Sequence, residues 1–175
     1  MTDTTPDRED APKPETGNAA SGAPRTFLVV VDDSDEMRTA LRFACLRARS
    51  TQGRVVLMRI IEPPDFEHFK FIGDKMKSEA HGDAEKRLQR LAAEVQKTSG
   101  QTPMLVVREG RASEQILKTI EENPEISVLV LAAAKGKDAP GPLVSGLAGT
   151  FGSRLRVPVM VVPANLTDAD FDRLT

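Results

Sequence analysis

The chain has 175 residues, 24 of them Lys or Arg and 26 Asp or Glu, for a formal net charge of −2. That length suits one domain with one sizeable core, and the balanced, scattered charge offers no basic patch of the kind nucleic acid or an anionic membrane selects. A single cysteine, Cys45, excludes an intramolecular disulfide and a cysteine-rich metal site, which points to a reducing compartment, the cytoplasm. Neither a secretory signal after Met1 nor an apolar stretch of the roughly 18 residues that a spanning helix needs is readable.

Residues 1–25 hold Pro6, Pro12, Pro14 and Pro24 among acidic and small residues, with no large apolar residue besides Met1. Such a segment cannot offset its ordering entropy by burial and is expected to be a disordered tail. The pattern then alternates. Phe27-Leu28-Val29-Val30-Val31 is a continuous β-rich run, as in a strand buried on both faces, and Asp32-Asp33-Ser34 breaks it. Met37, Leu41, Ala44 and Ala48 recur at helical spacing and predict a helix over 35–50, with Cys45 in the core beside that stripe. Gly53 ends the unit, and 55–61 reads as a second strand stopped by Glu62-Pro63-Pro64.

The next connection gathers Phe66, Phe69 and Phe71, which either cover core or shield a ligand. Ala80, Ala84, Leu88, Leu91 and Val95 mark a long helix ending at Gly100, with Glu85-Lys86-Arg87 on a solvated face. His68 and His81 have no partners at ligand spacing. A third strand covers 104–107. Gly110 then turns the chain, and Ser113 is placed to cap a helix carrying Ile116, Leu117 and Ile120. The fourth strand, 126–134, runs into a Gly- and Pro-rich loop over 135–146. A short helix near 147–155 and a last strand over 157–162 follow. Residues 165–175, with Asp168, Asp170 and Asp172, are expected to form a frayed or loosely helical tail.

Five strands separated by helices predict an α/β fold for residues 26–164: an open, five-stranded, mostly parallel sheet with helices on both faces, Rossmann-like in layout. In such sheets ligands bind beyond the C-terminal strand ends, where the strand order reverses. Two features fall there. Asp32 either caps the first helix or lines a cleft. Gly136, Gly141 and Gly146 give the 135–146 loop bare backbone before a helix, and Lys137 adds a positive charge. That loop is either a plain turn or a phosphate cradle.

Val-Val-Asp-Asp-Ser also resembles the acidic pocket of response-regulator receiver domains. Those domains further need an aspartate ending the third strand and a lysine after the fifth, where this chain has Val107-Arg108-Glu109 and Val162-Pro163. The ordered series of motifs from Phe27 to Pro163 instead resembles the universal stress protein (UspA) domain. Val31-Asp32-Asp33-Ser34 matches its Val-Asp-x-Ser, Ala40-Leu41 its first-helix step, and Leu57-Met58-Arg59-Ile60-Ile61 its second-strand end. Gly110 through Ile116 matches its Gly-x-Ala/Pro-x-x-x-Ile turn-helix, and Pro158-Val159-Met160-Val161-Val162 its closing strand.

ATP-binding members of that family carry Gly-x-x-Gly, nine residues, then Gly-Ser/Thr. On this chain the pattern falls on Ala133-Ala134-Lys135-Gly136 and then Gly146-Leu147, so two glycines match while Ala133 and Leu147 depart. Ser145 takes the hydroxyl position if the closing helix is one residue shorter. In the first register Leu147→Ser should tighten ATP binding; in the second Ser145→Ala should loosen it. The resemblance further implies Asp32 in the nucleotide cleft and the Ile60 backbone facing the base. It thus implies a cytoplasmic stress-response protein that binds ATP or another adenine nucleotide weakly as a regulatory ligand, through Asp32, Ile60, Ala133, Gly136, Lys137, Ser145 and Gly146. The alternative is an interaction protein of the same fold that binds no nucleotide. Neither reading is an enzyme, since no Ser-His-Asp, metal cluster or paired general acid and base is legible. An apolar last strand over 157–162, at a sheet edge, is expected to pair with its copy in a homodimer.

Overall fold

The computed structural model describes residues 24–62, 74–134, 136, 139–149 and 151–175. The N-terminal tail up to residue 23, Phe66, Phe69, Phe71, His68 and Lys137 lie outside them.

β1 (Thr26–Val31) is buried along its whole length. Its side chains alternate between two cores, with Phe27, Val29 and Val31 on one face and Leu28 and Val30 on the other. A continuous apolar run therefore belongs at the centre of the sheet. β1 pairs in parallel with β2 (Arg54–Ile61) on one side and β4 (Ile126–Ala132) on the other. β3 (Met104–Glu109) and β5 (Val159–Val162) complete the order β3-β2-β1-β4-β5, every pair parallel. α1 (Glu36–Ser50) and α2 (Asp74–Ser99) pack on the Phe27 face, while α3 (Ala112–Glu122) and α4 (Pro142–Ala148) pack on the Leu28 face. The sheet is an open α/β sandwich, as its alternating pattern predicts.

Gly53 lets β1 and β2 start together. A Cβ there would lie 2.2 Å from the carbonyl oxygen of Arg25, the same oxygen that accepts from the Arg54 N–H at 2.8 Å. The C-terminus of α3 is satisfied by a side chain: Arg156 donates to the carbonyls of Ile120 (Nε, 3.1 Å), Asn123 (2.7 Å) and Ile126 (3.3 Å). A guanidinium at that end meets both the orphan carbonyls and the negative pole of the helix.

Cys45 is core, as its place beside the α1 stripe suggests. Burial, with a further contribution from Glu94, pushes its thiol up to about 12. Reaction with a disulfide reagent at pH 8 should therefore run at least about 100-fold slower in the folded protein than in the urea-unfolded chain, because the thiolate is the nucleophile. Equal rates would place the thiol at the surface.

Of the two expectations for the C-terminal segment, frayed or loosely helical, residues 168–174 follow the helical one and more firmly than expected, as a capped helix α5 (Asp168–Leu174). Thr167 caps it: its Oγ1 accepts from the Asp170 N–H at 3.3 Å, and its own N–H donates to Asp170 Oδ2 at 3.0 Å. The Thr167 hydroxyl, which donates to Asp170 Oδ2 at 2.6 Å, together with the Thr167 N–H and the neighbouring Arg173, holds the Asp170 carboxyl down at about 2. Phe171 is 2% exposed in the α1–α2 core. Arg42 of α1 stacks 4.3 Å over its ring and pairs with Asp168 at 2.7 Å. The helix is held by an apolar anchor that charge counting overlooks.

Several boundaries also move, β3 running on to Glu109 and β4 stopping at Ala132. The last helix before β5 begins at Pro142, not near 147, because Gly141 and Pro142 supply a start signal. A 3₁₀ turn, Gly152–Arg154, follows it. β5 is only Val159–Val162, at the sheet edge, with Val157 buried just before it. Ser113 does not cap α3, whose N-cap position is Arg111.

Candidate functional site

The strand order places β1 between β2, which the chain reaches next, and β4, which it reaches only after β3. Beyond the C-terminal ends of β1 and β2 opens a cleft of about 940 Å³. Asp32, Ile60 and Gly146, drawn from three distant parts of the chain, line it together, and so do Ala112 and Ser113 at the start of α3. A smaller cleft of about 200 Å³ adjoins it over β1 and β4, sharing Asp32, Pro142 and Leu143 with the larger one and adding Ser34 and Ala134.

The Asp32-Asp33-Ser34 turn is built by its own side chains. Asp32 Oδ1 accepts from the Ser34 N–H at 2.9 Å and from Ser34 Oγ at 2.6 Å. Ser34 Oγ in turn accepts from the Met37 N–H at 3.3 Å. Ser34, not Asp32, therefore meets the α1 start, and Asp32 stays at the cleft wall by fixing Ser34.

α4 sorts its residues by helical position. Val144 and Leu147 are buried in the core, Leu143 and Gly146 face the cleft, and Ser145 is exposed. Leu147 is 0% exposed. The hydroxyl position of the family pattern is thus core in one register and solvent in the other, so neither supplies a hydroxyl to the cleft. Gly146 lies inside α4 rather than at its start, with open space beyond its own helix where a Cβ would stand. Ala133 is tied to the sheet, its N–H donating to the Val162 carbonyl at 2.9 Å, and it lines neither cleft. Gly136 adopts φ +70°, which favours glycine, with open space beside its Cα.

The cleft also holds charges that motif reading passes over. Arg59, in the apolar run of β2, crosses to the end of β1. It donates to the Val31 carbonyl at 3.1 Å and to Asp33 Oδ2 at 2.6 Å. Arg87 is not on a solvated face. It donates to the Asp32 carbonyl at 2.7 Å and pairs with Asp33 Oδ1 at 3.1 Å. The Arg59 hydrogen bond holds the Asp33 carboxyl below its usual range, and the charges of Arg59 and Arg87 add to the effect. The signal for Arg59 was present in the sequence, since a charge inside a buried strand must find a partner. Arg90 and Arg111 line the cleft too, and the Glu62 carboxylate accepts from the Ala112 N–H at 3.4 Å. His81, read as solitary, contacts Glu109 of β3 through Nε2. Among the described residues no set of three His, Cys, Asp or Glu is placed to hold a metal ion, and no helix is long and apolar enough to cross a membrane.

The universal stress protein family model matches residues 24–163, and the chain belongs to that family. Among solved structures it is similar to the universal stress protein UspA from Lactobacillus plantarum, at 19% identity and a TM-score of 0.67, covering 81% of this chain and 99% of that one. It is also similar to a universal stress protein in complex with cAMP, at 16% identity and a TM-score of 0.57 over 82% of this chain and 100% of that one. A third is the universal stress protein from Archaeoglobus fulgidus in complex with dAMP, at 19% identity and a TM-score of 0.51 over 80% and 98% of the two chains. No curated protein sequence matches the chain.

Proposed function

We propose that this protein binds an adenine nucleotide in the larger cleft as a regulatory ligand, without turnover. The observation that carries this reading is the convergence of Asp32, Ile60 and Gly146 on one cleft of about 940 Å³ at the strand ends, a volume suited to a small-molecule ligand. The cAMP and dAMP complexes of the two structural relatives support adenine as the base. Binding is expected to be weak. A hydrogen bond to a charged group contributes roughly 1.5–3 kcal/mol, so a cleft without the family's hydroxyl forgoes about 10- to 150-fold in affinity.

Titration calorimetry with AMP, cAMP and ATP on wild type and Gly146→Val tests the reading. A Cβ at 146 has open space outside its own helix, so a valine there puts its methyls on the cleft wall, and it lifts helix propensity slightly. The variant should keep its thermal midpoint and lose nucleotide binding. Binding that survives the valine would place the nucleotide away from this cleft wall, and no binding in the wild type favours the interaction-protein alternative. In the same proposal β5 pairs with its copy across a two-fold axis, since it ends the sheet with Val161 39% exposed. Met160→Lys should then shift the sedimentation coefficient from dimer to monomer at micromolar concentration. A wild type that already sediments as a monomer ends that part of the proposal.

A further inference from the structure

We infer that Arg59 and Arg87 form a preorganised fork for the anionic group of the cleft ligand, and that Asp33 is an internal counter-anion which the ligand displaces. The inference rests on the nucleotide reading and deepens it, by moving the phosphate contact from the glycine loop to the arginines. Among the described residues the loop's expected hydroxyl is absent from the cleft, and α4 opens with Pro142, which has no N–H to donate.

The arginines are held independently of Asp33. Arg59 keeps its bond to the Val31 carbonyl and Arg87 its bond to the Asp32 carbonyl, so each guanidinium stays aimed at the end of β1 when the carboxylate leaves. Asp33 is the mobile partner. Its side chain is 69% exposed, against 21% for Arg59 and 38% for Arg87, so it can turn to water at small desolvation cost. Arg87 Nε is in addition buried without a hydrogen-bond partner among the described residues, a donor that a larger anion could satisfy. Two guanidinium groups converging on one carboxylate match the planar, multidentate recognition of phosphate.

Calorimetry with adenosine, AMP and inorganic pyrophosphate on wild type, Asp33→Asn and Arg87→Gln tests this, with thermal unfolding by circular dichroism confirming that each variant folds. Asp33→Asn should tighten AMP and pyrophosphate about 10-fold and leave adenosine unchanged, because the competing charge is gone. Arg87→Gln should weaken both anions about 10-fold or more and spare adenosine. AMP binding that Asp33→Asn leaves unchanged or weakens overturns the displacement. If neither adenosine nor AMP binds any variant, the nucleotide reading falls, and pyrophosphate alone decides the fork. Pyrophosphate indifferent to both substitutions overturns it.

Discussion

Leu147→Ser is expected to lose about 3–5 kcal/mol of folding stability and to gain no nucleotide affinity. Leu147 is fully buried in the cluster beneath α3 and α4. Truncating a buried leucine costs roughly 2–5 kcal/mol through lost transfer energy and the residual cavity, and a hydroxyl left there without a partner adds to it. Domains of this size hold only about 5–15 kcal/mol in all, so the variant sits near its unfolding threshold. The chain has no Trp and no Tyr, so urea unfolding is best followed by far-ultraviolet circular dichroism. The midpoint should fall at unchanged slope. An unchanged midpoint with tighter AMP binding would mean that residue 147 faces the cleft and that the packing of α4 described above is wrong.

Phe171→Ala is the next largest effect expected, at about 2–4 kcal/mol. The ring is 2% exposed against α1 and the sheet and lies under the Arg42 guanidinium, and Phe→Ala in a core costs roughly 3–5 kcal/mol. The lower range applies because a terminal helix can undock instead of leaving a cavity. Circular dichroism should lose helical signal before the main transition, and amide exchange in 168–174 should accelerate while that of β1 holds. Slow exchange in α5 of the variant would show that Thr167 and Asp170 hold the helix without its anchor.

Those two residues also mark what the sequence discloses. The five strands are legible because continuous runs such as Leu28-Val29-Val30-Val31 have no other stable home than a sheet buried on both faces. The α1 stripe is legible because Met37, Leu41, Ala44 and Ala48 keep helical spacing and all four are buried. Asp32 and Gly146 are placed at the strand ends by the parallel-sheet pattern, and Ile60 joins them only through the resemblance. The rest depends on tertiary pairing. Arg87 reads as one more charge in Glu85-Lys86-Arg87 until α2 is laid across the end of β1, 55 residues earlier. His81 meets Glu109 only across α2 and β3. Two local signals compete with others in the sequence. Gly141-Pro142 announces a helix start, and Thr167-x-x-Asp170 has the form of a capping box, while Asp168, Asp170 and Asp172 favour solvent.

The strand order has a consequence during synthesis. Thr26 sits opposite Arg54 on one side, but on the other it sits beside Ile126 and bonds to Ser127, 101 residues along the chain. When β3 has emerged from the ribosome, β3, β2 and β1 can already pair, yet one whole flank of the most apolar strand still awaits β4. At roughly 5–20 residues per second, that flank stays open for about a second or more while β4 is made. Open backbone edges on apolar strands template pairing with other chains. The nascent protein is therefore most prone to aggregate after β3 and before β4 has emerged, and a translational pause that holds the chain at that stage should lower soluble yield more than one after β4 has emerged.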